Sequence, residues 1–209
     1  MSPVPGNPWP HDMVITVDDQ PRALLELLWV REAYGLRVDG DDLPPALVDA
    51  PAVLDDVADA ARAEWEQAWP LVWRAAAAHA GRDDANDLIA QLKSSVLAPG
   101  RRADLLQELF GPSWRDEFGD EVFDVDSYRE WSDRGDRRML ETAPLRAQAL
   151  PERRDNDALV TAWQGGLTKI VTIPCAGEFA RRISPSALLT TDATRADSAA
   201  YRRALNGFA

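Results

Sequence analysis

Residues 52–80 read AVLDDVADAARAEWEQAWPLVWRAAAAHA, and this stretch decides what kind of fold the chain can form. Leu54, Val57, Ala61, Trp65, Ala68, Trp69, Val72 and Trp73 recur at three- and four-residue steps. Asp55, Asp56, Asp59, Arg62 and Glu66 take the opposite side, so the spacing predicts one amphipathic helix. Pro70 falls inside it. Its ring clashes with the preceding turn and removes a donor, so it is expected to kink or split the helix.

Upstream, residues 1–12 hold four prolines and Trp9 and read as an irregular arm. Residues 13–17 (MVITV) form a short β-rich run that ends at Asp18-Asp19. Pro21 suits the first turn of a helix reaching Tyr34, with Gly35 as its stop. Residues 36–51 read as a loop.

Downstream, helices are expected over 84–97, with Leu88, Ile89, Leu92 and Val96 inward, and over 101–110. The pattern breaks down over 113–126, where 121–125 fits a short strand. A helix over 127–149 is interrupted by Gly135 and Pro144, and PERRDN at 151–156 reads as a linker before a short helix over 157–163. The character then changes. Residues 167–174 (LTKIVTIP) alternate and are rich in β-branched residues, which predicts a strand. Ser184-Pro185 resembles an N-cap and first-turn proline, opening a helix through Leu189, and a last helix covers 192–205.

Helices therefore dominate. The expected fold is mainly α, a bundle-like helical body with a few short strands. The alternative is α+β with a small sheet formed by 13–17, 121–125 and 167–173. Residues 1–150 form an acidic helical body, and 151–209 a strand-plus-helices unit packed on it as one domain.

At 209 residues the chain can hide roughly 70% of its unfolded surface, enough for a core without staples. Its single cysteine, Cys175, excludes an internal disulfide. The N-terminus lacks the pattern of a secretory signal, and no run of about 18 apolar residues could span a bilayer. The reading is cytoplasmic, with no membrane partner. Arginine outnumbers lysine 21 to 2, which reads as a GC-rich bacterial genome. The net charge of −12 is uneven: residues 1–149 hold 29 acids and 15 bases, residues 150–209 hold 6 acids and 8 bases. An acidic body argues against nucleic acid, whose affinity comes from neutralised phosphates, and suits a basic protein partner.

Standard catalytic signatures are missing. The only histidines are His11 and His79, which disfavours a His-rich metal site. Walker, dinucleotide and nucleophile-elbow motifs are lacking. The acidic loops at 39–42 and 120–126 do not have EF-hand spacing and read as solvated turns, so no metal or cofactor is expected. Trp65, Trp69 and Trp73 form a stripe that reads as core, or as a docking surface if Pro70 opens a groove. Cys175 follows the strand, where active-site residues often sit, but a free cysteine is more often inert core.

The C-terminal third concentrates candidate anion-binding groups: Lys169, Arg181, Arg182, Ser184, Arg195, Tyr201 and Arg202, with Thr190 and Thr191 at a helix start. Guanidinium forks and helix N-termini suit phosphate or carboxylate. Arg195 and Arg202, seven apart, are expected on one helix face. The preferred reading is that these arginines pair with the acidic body and dock the C-terminal unit on it. Two functions compete. One is a non-catalytic interaction module of adaptor, regulator or toxin-neutralising type. The other is an enzyme or sensor for a small phosphorylated or anionic ligand, with Tyr201, Thr172 or Cys175 supplying chemistry.

Overall fold

The computed structural model describes residues 9–54, 57–83, 85–93, 99–148 and 150–208. Strand β1 (Thr16–Asp18) leads to α1 (Arg22–Ala33), which starts behind Pro21. Leu24, Leu27, Leu28, Trp29, Val30 and Ala33 are all fully buried, so α1 is packed on every side, as its unbroken apolar run requires. Gly35 closes it at φ +58, a conformation that glycine adopts without strain.

Helix α2 (Asp59–Ala80) is continuous through Pro70. Burial of Trp69 and Trp73 on either side, with the Trp69 indole donating to the Leu27 carbonyl at 2.7 Å, outweighs the one amide that proline removes. The helix starts later than its apolar spacing predicts. Leu54 belongs to a segment whose amide bonds the Ala33 carbonyl at 2.6 Å, which holds it against the end of α1. Asp55 and Asp56, assigned to the outer face, lie outside the described residues.

Helices α3 (Ala85–Leu92) and α4 (Pro99–Phe110) follow, and the expected inward Val96 lies outside the described residues. Helix α4 ends at Gly111, where φ is +68 and a Cβ would fall 2.3 Å from the His79 ring. Helix α5 (Trp114–Phe118) is capped by Ser113, whose amide and hydroxyl both donate to Asp116. The strand expected over 121–125 is instead a 3-10 turn, Glu121–Phe123. Its consecutive residues Val122 and Phe123 both enter the same core, which an extended strand would send to opposite faces. Helix α6 (Asp126–Gln148) runs without a break through Gly135 and Pro144.

The supposed linker contains α7 (Pro151–Arg154), and Glu152 and Asp155 are buried, so this segment is anchored. Then come α8 (Asn156–Gln164), β2 (Lys169–Ile173), β3 (Ala180–Arg182) and β4 (Ala187–Thr191). The helix expected from Ser184 to Leu189 is replaced by the start of β4. Leu188 and Leu189 enter different cores, as adjacent strand residues must. The expected last helix breaks at Asp197 into α9 (Asp192–Ala196) and α10 (Ser198–Asn206), because the Asp197 carboxylate caps the Ala200 amide at 2.7 Å.

The sheet order is β1-β2-β4-β3, with β1, β2 and β4 parallel and β3 antiparallel at the edge. Thr16 sits opposite Lys169, and Lys169 opposite Ala187. Both faces are covered. Val171, Ile173 and Leu189 meet the α1–α2 tryptophans, while Ile170 and Leu188 meet Leu159, Tyr201, Leu205 and Phe208 of α8 and α10 and the residues after α10. The molecule is mainly helical, with a small mixed sheet between helical layers. The sheet joins the N-terminal residues of β1 to the C-terminal strands, so its hydrogen bonding crosses the boundary at 150. Among the described residues no helix is long and apolar enough to cross a membrane.

Candidate functional site

The C-terminal candidates separate into three groups. Arg195 makes two hydrogen bonds to Glu152, at 2.7 and 2.9 Å, and the Tyr201 hydroxyl donates to the same carboxylate at 3.0 Å. Arg202 grips Asp157 with both arms of its fork and lies 3.6 Å from Asp155, which also accepts from Ser198 and Arg154. Arg195 and Arg202 stand on different helices because of the break at Asp197. Their partners all belong to 151–209 and not to the acidic body, so these ion pairs lock α7 and α8 to α9 and α10. Burial, then the neighbouring Glu152, pushes the Tyr201 hydroxyl well above its ordinary pKa, so it keeps its proton.

Lys169 and Ser184 form the second group. The ammonium donates to the Arg82 carbonyl at 3.2 Å and the hydroxyl to the Gly81 carbonyl at 2.8 Å, joining the end of α2 to the amino edge of the sheet. Arg181 and Arg182, on β3, are the third. Arg182 spends its donors on the carbonyls of Ser184, Pro185 and Phe208 and lies over the Phe208 ring. The Arg181 side chain makes no hydrogen bond or ion pair among the described residues.

Trp69 and Trp73 are buried and stacked, with ring centroids 5.3 Å apart. Half-buried Trp65 meets Tyr34 and Trp114 edge-on. The stripe is part of the aromatic core. Cys175 is fully buried, and burial pushes its thiol up to about 12, far from the thiolate a nucleophile needs. In the acidic loops Asp42 pairs with Arg74, Asp120 with Arg115, and Asp124 and Asp126 with Arg129. Among the described residues no three His, Cys, Asp or Glu side chains converge as a metal would require.

A different place draws attention. The three parallel strands end at Asp18, Ile173 and Thr191, and the residues that follow, Asp19-Gln20, Pro174 and Asp192, line one crevice. In open α/β sheets, ligands settle outside the carboxyl ends of the strands. Helix α6 forms the opposite wall with Trp131, Asp136, Arg138 and Met139, and Leu47 and Asp49 close the side. The wall is held by Asp49: its carbonyl accepts from the Trp131 indole at 2.8 Å, and its carboxylate from Arg138 at 2.7 Å and Arg134 at 3.4 Å. Burial alone would raise the Asp49 carboxyl, but the two guanidiniums outweigh it and hold it below the usual range.

Asp19, Asp49, Asp136 and Asp192 thus surround a cleft floored by Leu25, Leu47 and Met139, with Arg138 the one cation among its described lining residues. Val48 and Leu140, next in sequence to lining residues, are 69% and 72% exposed. Sequence reasoning missed this site because Asp19 reads as the end of a strand and Asp192 as a helix cap. Only the parallel pairing brings them together. Compared with known proteins, the chain matches no family model, no curated protein and no solved structure.

Proposed function

We propose that the protein is a non-catalytic interaction module that takes a basic, partly apolar segment of another protein into the crevice at the carboxyl ends of β1, β2 and β4. The observation that carries this reading is the lining itself: Asp19, Asp136 and Asp192, together with the Asp49 carboxylate that Arg138 and Arg134 hold, around an indole and a thioether. An arginine or lysine suits such a cleft, because its methylene stem lies on apolar surface while its head meets the acids. The net charge of −12 would steer a basic partner toward the surface. The groups fittest for catalysis are otherwise engaged. Tyr201 is tied to Glu152, His79 to the Glu108 carbonyl, and the Cys175 thiol is sealed in the core.

The test is titration of the full chain with a ten-residue arginine- and leucine-containing peptide, alongside its glutamate counterpart. The basic peptide is expected to bind, to perturb the Trp131 indole resonance, and to lose about tenfold in affinity with Asp136→Lys, since a reversed charge at a contact costs on the order of 1.4 kcal/mol or more. Equal binding of both peptides, or unchanged affinity in the variant, would sink the reading.

A further inference from the structure

The sheet ends at β3. Its residues Ala180, Arg181 and Arg182 are all exposed, and among the described residues no further strand lies along their outer edge. The Thr191 amide donates to the Phe179 carbonyl at 3.1 Å, and the Ile183 amide to the Ala187 carbonyl at 3.0 Å. Phe179, Arg181 and Ile183 therefore turn their backbone groups toward β4. Antiparallel pairing alternates, so the amides and carbonyls of Ala180 and Arg182 point the other way, to the open edge. A row of this kind is a template for one more strand.

The side chains decide which strand fits. Phe179 and Ile183 pack on the α1–α2 core, so Arg181, at the alternate position between them, stands on that face. Its guanidinium is exposed and makes no hydrogen bond or ion pair among the described residues. Asp42, whose carboxyl Arg74 and more weakly Arg181 hold low, is already gripped by Arg74 through two hydrogen bonds. Arg182 stands on the opposite face, over the Phe208 ring. A second copy of β3 is a poor partner. Two-fold pairing through Ala180 and Arg182 would set the two Arg181 side chains opposite each other, and like charges so placed destabilise a sheet.

We propose that β3 takes up an extended segment of another protein as an added antiparallel strand, with a carboxylate side chain opposite Arg181. Because Arg181 spends its own backbone groups on β4, the carboxylate residue falls at the closely spaced position, with Cα atoms about 4.5 Å apart. Its two neighbours exchange hydrogen bonds with Ala180 and Arg182. Residues two places to either side share the face of Phe179 and Ile183, so the pattern read is apolar-x-acid-x-apolar. Residues 150–209, which carry the edge, hold 8 bases against 6 acids, so a carboxylate is matched locally on a chain that is acidic as a whole. The edge shares no lining residue with the acidic crevice and stands or falls separately from it.

The experiment is an amide NMR titration of the full chain with acetyl-Ser-Val-Thr-Glu-Thr-Val-Ser-amide, and with the same peptide carrying lysine for glutamate. The glutamate peptide is expected to give saturable shifts centred on the Ala180 and Arg182 amides, with slowed hydrogen exchange at both. The lysine peptide should bind several-fold more weakly, and Arg181→Glu should reverse that preference. Ala180→Pro removes an outward donor that β4 does not use, so it should abolish binding while the rest of the amide spectrum persists. The Trp131 indole, which reports the crevice, should not respond. No saturable binding, equal binding of the two peptides, undiminished binding in Ala180→Pro, or shifts confined to Trp131 and its neighbours would each overturn the proposal. So would shifts at Ala180 and Arg182 that depend on protein concentration without peptide, because the edge would then pair with a second copy.

Discussion

Glu152 and Arg195 face each other through two hydrogen bonds, 2.7 and 2.9 Å long, in a setting where Glu152 is only 5% exposed. The same arrangement recurs at Glu26, which is buried between Arg115 and the Tyr128 hydroxyl and reached by Arg22. Each is a buried carboxylate in an arginine–tyrosine cage, one holding α5 and α6 to α1, the other holding α7 to α9 and α10. A buried pair is costly to break because the remaining charge is stranded. Arg195→Ala should therefore destabilise the fold by about 3–5 kcal/mol in urea denaturation. Glu152→Leu with Arg195→Met should recover much of that loss, since no unpaired charge remains. Arg203→Ala, at an exposed pair, should cost under about 1 kcal/mol. Equal losses for Arg195→Ala and Arg203→Ala would refute this account.

Cys175 gives a second prediction. Its thiol is fully buried, and burial raises its pKa to about 12 from 9.0. A group that is protonated in the native state but ionises earlier when unfolded contributes stability that is fully present below pH 9 and is lost as pH rises toward 12. Iodoacetamide labelling at pH 8 should be slow and should follow the opening of the fold, and stability measured by denaturation should fall through this alkaline window. In Cys175→Ala the part of that fall due to the thiol should disappear. Rapid labelling of the native protein would contradict the burial on which this rests.

What the sequence revealed and what it hid divide along physical lines. Helix α1 was legible from Pro21 and Gly35 at its ends, α2 from its periodic apolar spacing, and strand β2 from its β-branched composition. Strand β4 was not, since ALLTT is a short run buried on both faces, and periodicity cannot separate such a strand from a helix. Glu152 and Asp155 looked like linker residues because a buried charge is recognisable only with its partners, Arg195 and Arg202, which stand more than 40 positions away. Arg181 and Arg182, adjacent in sequence, differ in availability because adjacent strand residues point to opposite faces, and the face of Arg182 meets Phe208 and three backbone carbonyls.

Asp157 should report directly on Arg202. The hydrogen bonds from that guanidinium, foremost among the causes, hold the exposed Asp157 carboxyl down at about 2. Its folded value is depressed, so the stabilising effect is present above the ordinary value of 3.8 and is lost as pH falls toward 2. Carbon-detected NMR titration should find the low value in the wild type and a return toward 3.8 in Arg202→Gln. An unchanged titration in that variant would show that the pair does not persist in solution.

The acidic crevice makes a prediction that separates its two kinds of contact. Trp131 is fixed by its bond to the Asp49 carbonyl and offers apolar surface, whereas Asp136 offers charge on the same helix. Removing a rim charge alters association rate and salt dependence, while removing a buried aromatic alters chiefly dissociation. For the arginine- and leucine-containing peptide, Trp131→Ala should raise the dissociation rate about tenfold and leave the slope of log Kd against log salt unchanged. Asp136→Asn should lower the association rate and flatten that slope. Stopped-flow measurements between 50 and 300 mM salt would distinguish them. If both variants changed only the salt slope, binding would be long-range attraction to an acidic surface, and the crevice would not be the contact.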